Sequence, residues 1–185
     1  MFQETAITTA TPLAMPQRSV ANVGALVARS ARAFGQRIAI RTPARSLTYA
    51  ELEQRSNRLA NALLGLGLSR GDRVGIYLPN RPEIVELELA CYKAGLIKAP
   101  FNARLSPAEV GEIAANSEAS VIVTTAARAE SFRPHIRGAM PNLLLVDERA
   151  GTGEPGSYEN ALVRARDVFA PVAVTADVVA GLDHT

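Results

Sequence analysis

The sequence predicts an α/β fold, a mostly parallel sheet with helices on both faces. Three observations lead there: helical stripes alternate with short apolar runs, one run is apolar at nearly every position, and the composition is ordinary for a globular protein. Alternating helices and strands favour parallel pairing through right-handed crossovers. A continuous apolar run suits a strand covered on both sides. The 185 residues are 48% hydrophobic and 21% charged, near globular averages. A chain of this size hides roughly 70% of the surface its unfolded form exposes. Lys plus Arg number 20 against 18 Asp plus Glu, a net charge of +2, too weak and too scattered a field to hold a nucleic acid.

Residues 1–20 carry Thr, Pro and Gln with Glu4 early and no basic start before an apolar stretch. They read as a flexible tail rather than a secretory signal, and the folded unit is expected over 21–185. Val23, Leu26, Val27 and Phe34 form the one-sided stripe of an amphipathic helix that Gly35 stops. Arg37 to Arg41 reads as a short strand. Thr48 with Glu51 makes a capping box, in which hydroxyl and carboxylate satisfy each other's backbone N–H. The helix it opens places Leu52, Ser56, Leu59 and Leu63 on one face, with Glu51 and Arg55 on the opposite, solvated side.

Gly65, Gly67 and Gly71 mark a turn, and Val74 to Leu78 is the apolar run of a doubly covered strand. Asn80 and Glu83 repeat the capping pattern. Ile84, Leu87 and Cys91, beside Val85, Leu89 and Tyr92, require cover around much of that helix, which Gly95 ends. Leu96 to Phe101 is the next strand, Ser106-Pro107-Ala108-Glu109 caps the next helix, and Ser120 to Thr124 follows as a strand. A helical stretch from Ala126 to Gly138 is broken or kinked at Pro134. Leu143 to Val146 is a further strand, and Gly151 to Gly156 a linker-like turn.

Compact chemical motifs are missing. Gly65 to Gly71 follow a helix and precede a strand, whereas a pyrophosphate cradle needs strand, glycines, then a helix N-terminus. His135 and His184 have no second ligand at helical or strand spacing, which argues against a metal site. Cys91, the single cysteine, excludes an intrachain disulfide, fits a reducing cytoplasm, and lies on a largely apolar helix as a buried, inert thiol would. Asp147-Glu148 ends a strand without a base or metal partner and reads as solvated loop. No apolar run approaches the roughly 20 residues that cross a bilayer.

Thr48-Tyr49-Ala50-Glu51-Leu52, then Gly67-Leu68-Ser69-Arg70-Gly71-Asp72-Arg73-Val74, then Asn80-Arg81-Pro82-Glu83 resemble, in order and spacing, the start of acyl-CoA synthetases and their adenylate-forming, AMP-binding relatives. Lys93-Ala94-Gly95, Pro100, Asn102, Arg104-Leu105-Ser106 and Glu109 resemble that family's third strand and following helix. Ser117-Glu118-Ala119 resembles its approach to the fourth strand. The likeness is close from Val23 to Thr124 and looser beyond. Two positions depart from it: Lys98 charges a strand that is apolar in relatives, and Gly111 weakens a helix by about 1 kcal/mol against Ala.

The resemblance implies an incomplete N-terminal subdomain of the adenylate-forming ligase fold. In that family ATP and a carboxylate, here expected to be a fatty acid, give an acyl-adenylate and pyrophosphate with the help of Mg2+, and coenzyme A then takes the acyl group. Asp177 to Thr185 resembles the strand entering the Thr/Ser/Gly-rich phosphate loop, whose backbone N–H groups and hydroxyls hold the triphosphate. Thr185 would open that loop and is the one cofactor-binding residue implied; no catalytic or metal residue is. The expectation is a chain truncated just before the loop and inactive alone, binding no ATP, Mg2+ or coenzyme A by itself. A second chain carrying the rest of the ligase, or self-association through the truncated surface, would be its partner. Two other readings stay open: a non-catalytic protein-interaction module derived from such a ligase, and a small nucleotide-binding enzyme of another kind.

Overall fold

The computed structural model of the chain describes residues 19–20, 22–43, 45–146 and 157–183. Residues 1–18 of the expected tail, Asp147-Glu148, the Gly151 to Gly156 turn, His184 and Thr185 lie outside them. The chain opens with Ser19–Val20 (β1), Gly24–Phe34 (α1), Ile38–Arg41 (β2) and Ser46–Thr48 (β3). Tyr49–Gly65 (α2), Arg73–Tyr77 (β4), Pro82–Ala94 (α3), Ile97–Pro100 (β5) and Pro107–Asn116 (α4) follow. Ala119–Thr124 (β6), Ala126–Phe132 (α5), Asn142–Leu145 (β7), Tyr158–Arg164 (α6) and Val174–Thr175 (β8) complete the described elements.

The expected parallel sheet is present as four strands in the order β5-β4-β6-β7, every neighbouring pair parallel. Its alternation distributes the core. Val74 and Ile76 of β4, with Val121 and Val123 of β6, face Leu59, Leu63, Leu87 and Cys91 on α2 and α3. Tyr77 and Ile122 join Ala99, Phe101, Val110 and Phe132 on the other face, beneath α4 and α5. Period-two burial on both sides is what makes the strand sequences read as continuous apolar runs. Two antiparallel pairs lie outside this sheet, β1 with β8 and β2 with β3.

Local signals set several boundaries. Both capping boxes form, Thr48 with Glu51 and Ser106 with Glu109. Gly95 closes α3 in the left-handed region at φ 70°, where a residue without Cβ avoids the steric cost. The start of α3 differs from expectation. Its cap is Arg81, with no side-chain hydrogen bond, and Pro82 at the first helical position sets the backbone instead. Pro134 ends α5 as foreseen, the chain tightening into a 3-10 turn at Arg133–His135. Strands β1, β3 and β8 and helix α6 carry no reading from the sequence.

Helix α1 buries only one residue of its predicted stripe. Val23, Leu26 and Phe34 are about half exposed, while Val27 and Gly24 are buried. Small residues decide this: a Cβ on Gly24 would sit 2.6 Å from Lys93 Cγ and 2.8 Å from its backbone nitrogen, so only glycine lets α1 settle on α3. Lys93 is itself fully buried. Its ammonium donates to Glu53 Oε2, Ser56 Oγ and Asn57 Oδ1, each at 2.7 Å, which uses all three of its protons. Arg55 is the second reversal. It leaves the solvated face of α2 and reaches inward to Glu86 and Glu159.

Gly111, which propensity alone marks as a weak point, is required by packing. A Cβ there would lie 2.4 Å from the His135 carbonyl oxygen and 2.7 Å from its carbon, so α4 approaches the 3-10 turn at backbone distance. Gly111→Ala is therefore predicted to destabilise the chain by about 1–3 kcal/mol through overpacking. Helix propensity would give a gain of about 1 kcal/mol, and urea unfolding of the two proteins distinguishes the signs.

Candidate functional site

Open α/β sheets bind ligands outside the carboxyl ends of their strands, where the strand order reverses. Here that point is the end of β4, with β5 on one side and β6 on the other. It is filled by the protein's own side chains. Thr124 Oγ1 donates to the Tyr77 carbonyl at 3.0 Å, and the Tyr77 hydroxyl donates to the Leu105 carbonyl at 3.3 Å. Arg128 lies 4.5 Å over the Tyr77 ring and donates to the Ala103 carbonyl at 3.1 Å. Phe132 meets Tyr77 edge-on, ring centres 5.9 Å apart. These contacts pack side chains of β4, β6 and α5 against one another at this end of the sheet.

A second segment reaches the sheet at its β5 edge. Where a strand is expected from Asp177 onward, Ala180–Leu182 docks beside β5 through an isolated parallel bridge, Gly181 opposite Lys98. The Lys98 amide donates to the Ala180 carbonyl at 3.1 Å, and the Leu182 amide donates to the Lys98 carbonyl at 2.9 Å. The chain is thus delivered towards the carboxyl end of β5, where Asn102 and Arg104 are exposed. Thr185, two residues past the last described residue, Asp183, is the predicted binding residue, and its own position is outside the description.

A charged network occupies the same end of the α2–α3–α6 layer. Glu86 is fully buried and accepts from Arg55 Nε at 2.8 Å, Arg45 at 3.3 Å and the Tyr158 hydroxyl at 2.7 Å. Arg55 also pairs with Glu159, and Glu83 accepts from Arg45 and Arg81. Burial, then the Glu86 charge, pushes the Tyr158 phenol well above its ordinary 10, so it stays protonated as a donor. For Arg55 burial opposes the charge, yet hydrogen bonds to Glu159 and Glu86 hold it above its ordinary value. Three arginines thereby meet three glutamates. The geometry is that of a clamp between helices rather than an anion receptor. One signal in the sequence marked it: Glu83, Glu86, Ala90 and Lys93 recur at helical spacing alongside the apolar stripe of Leu87, Cys91 and Ala94.

The remaining candidates carry no chemistry. Gly67 and Gly71 adopt φ 92° and 88° in the turn between α2 and β4, a helix stop with no helix N-terminus after it. Cys91 is buried and its thiol is pushed up to about 12, by burial and then by Glu88, which suppresses the nucleophilic thiolate. His135 is exposed. Among the described residues no group of three or more His, Cys, Asp or Glu side chains is placed to hold a metal ion.

The network gives two measurable expectations. Tyr158→Phe leaves a buried carboxylate oxygen without its donor and is predicted to cost about 1–3 kcal/mol in urea unfolding. Burial would raise the Glu83 carboxyl, but Arg81 and its other donors hold it below the ordinary 4.5. Its contribution is then fully present above the unfolded value and is lost as pH falls through the lowered native value. The stability difference between the native sequence and Glu83→Gln should shrink between roughly pH 5 and pH 3. A difference constant over that range contradicts the assignment.

A model of the AMP-binding enzyme family matches residues 27–185. Feruloyl-CoA synthase of an Amycolatopsis species is 36% identical over 133 residues, 72% of this chain and 27% of the relative. Acetyl-coenzyme A synthetase of Rhodobacter capsulatus is 43% identical over 82 residues, 44% of this chain and 12% of the relative. Among solved structures, a fatty acyl CoA synthetase of Mycobacterium tuberculosis superposes with a TM-score of 0.77 at 26% identity, covering 89% of this chain and 32% of that one. An acyl-CoA synthetase of Brucella canis shares the fold at a TM-score of 0.78 and 23% identity, over 94% of this chain and 32% of its own. This chain spans about a third or less of each of them. With the family match running from the middle of α1 to the last residue, the chain belongs to the AMP-binding enzyme family, whose acyl-CoA synthetases it is similar to in sequence and fold.

Proposed function

We propose that this chain forms the N-terminal part of an acid–thiol ligase, which activates a carboxylate with ATP to an acyl-adenylate and passes the acyl group to coenzyme A. The observation that carries this is the docking of Ala180–Leu182 beside β5. It directs towards the carboxyl end of the sheet the segment that resembles the entry to the phosphate loop. The matched relatives support the reaction class: feruloyl-CoA synthase, acetyl-coenzyme A synthetase and crotonobetaine/carnitine–CoA ligase all name an acid joined to coenzyme A. Their acyl groups differ widely. The fatty acid expected from the sequence is supported by the fatty acyl CoA synthetase among the solved structures. A cytoplasmic location, suggested by the single free cysteine, belongs to the same proposal.

In this reading the described residues supply the frame. The sheet and its helices fix where the chain leaves β5, and the Thr185 hydroxyl and backbone N–H offer the first donors to the triphosphate. Contacts with the metal, the coenzyme and the acyl chain fall to sequence that relatives carry beyond this region. Residues 1–185 alone are then inactive, and a second chain bearing that sequence would complement them.

Pyrophosphate release with ATP, Mg2+, coenzyme A and a panel of acids including a long-chain fatty acid tests this. No release is predicted from the 185 residues alone. When they are joined to, or mixed with, the region that follows in relatives, release and acyl-CoA formation are predicted, and Thr185→Ala should lower that activity about 10²-fold. Turnover by the 185 residues alone would overturn the inactivity. Failure of the joined protein to form any acyl-CoA would overturn the ligase reading.

A further inference from the structure

Both backbone hydrogen bonds that attach Ala180–Leu182 to the sheet are made by one residue, Lys98. Two such bonds do not offset the entropy of fixing three residues of backbone, so side chains on the two faces must supply the remainder. On one face Leu182 packs against the cluster that contains Phe101 and Val110. On the other face stands Lys98. Its ammonium lies 2.6 Å from Glu88 Oε1 and 6.0 Å over the Tyr92 ring, so the side chain is drawn towards α3 from a strand position where a charge has no obvious place. The aliphatic stem in between crosses Gly181. A Cβ built on Gly181 would lie 3.2 Å from both Cγ and Cε of Lys98, tighter than ordinary contact, so the absence of a side chain at 181 and the long stem at 98 fit each other.

We propose that Lys98, pinned by Glu88, is a positioning residue that seats Gly181 against β5 and so sets the direction in which the chain leaves towards Thr185. The pair is partly exposed, with 21% and 33% of the two side chains accessible, and exposed ion pairs contribute little net stability. Its role is orientation: the carboxylate selects the one stem conformation that covers the glycine. A shorter apolar residue at 98 would keep the backbone pairing and lose the cover. The seating stands on geometry alone, while its consequence for a bound triphosphate rests on the functional reading above.

Amide hydrogen exchange of the full 185-residue chain, followed by NMR without nucleotide, tests the seating independently of any ligase activity. Lys98→Met keeps the stem length and removes the charge, and should speed exchange at the Leu182 amide roughly tenfold while Val121 and Val123 of β6 stay within about twofold. Glu88→Gln, which leaves the strand untouched, should reproduce that acceleration. Lys98→Arg, able to reach Glu88, should restore slow exchange. An unchanged Leu182 rate in Lys98→Met and Glu88→Gln, acceleration of equal size at Leu182 and in β6, or no restoration by Lys98→Arg would each overturn the proposal.

Discussion

The buried carboxylate of Glu86 is the constraint around which this fold is arranged. A charge taken fully out of water is strongly unfavourable unless it is paired and hydrogen-bonded. Glu86 meets that demand with Arg55 from α2, Arg45 from the chain before β3, and Tyr158 from α6. Each donor comes from a different segment, so satisfying one carboxylate fixes the order of three helices over one face of the sheet. Apolar contacts among Leu59, Leu63 and Leu87 supply the attraction there, and the charges supply the register. Lys93 ties α3 to α2 through Glu53, Ser56 and Asn57, and Gly24 of α1 packs against its stem.

What was legible in the sequence was local. The capping boxes at Thr48 and Ser106, the helix stop at Gly95 and the doubly apolar run of β4 depend on residues within a few positions of one another, and each forms as read. The facing of α1 was not legible, because contact between backbones at Gly24 outweighs the larger side chains of Val23, Leu26 and Phe34. The pairing of Glu86 with Arg55 was hidden for a related reason. They are 31 residues apart, and Tyr158 is 72 residues from Glu86, so local spacing on α3 could hint at an inward-facing carboxylate but not at its partners. The two departures from the family pattern have a common explanation. Gly111 makes room for the carbonyl of His135, and Lys98 covers Gly181.

The candidate site was legible only as a direction. Resemblance pointed to the residues before Thr185, and the structure contributes the docking of Ala180–Leu182 on β5, a pairing between positions more than eighty residues apart that no local pattern encodes. Beside β4, where sheet order would place a ligand, Tyr77, Arg128 and Phe132 pack on one another. The charged groups of the α2–α3–α6 layer are committed to one another, which makes that layer a frame in this account.

That claim has a direct test in calorimetric titration of the 185-residue chain with ATP and Mg2+. Arg45, Arg55 and Arg81 are neutralised by Glu83, Glu86 and Glu159, so the account predicts no binding heat up to millimolar nucleotide. Saturable micromolar binding that disappears on replacing one of these arginines would contradict it, because the network would then be a phosphate receptor rather than the clamp that holds the helices in place.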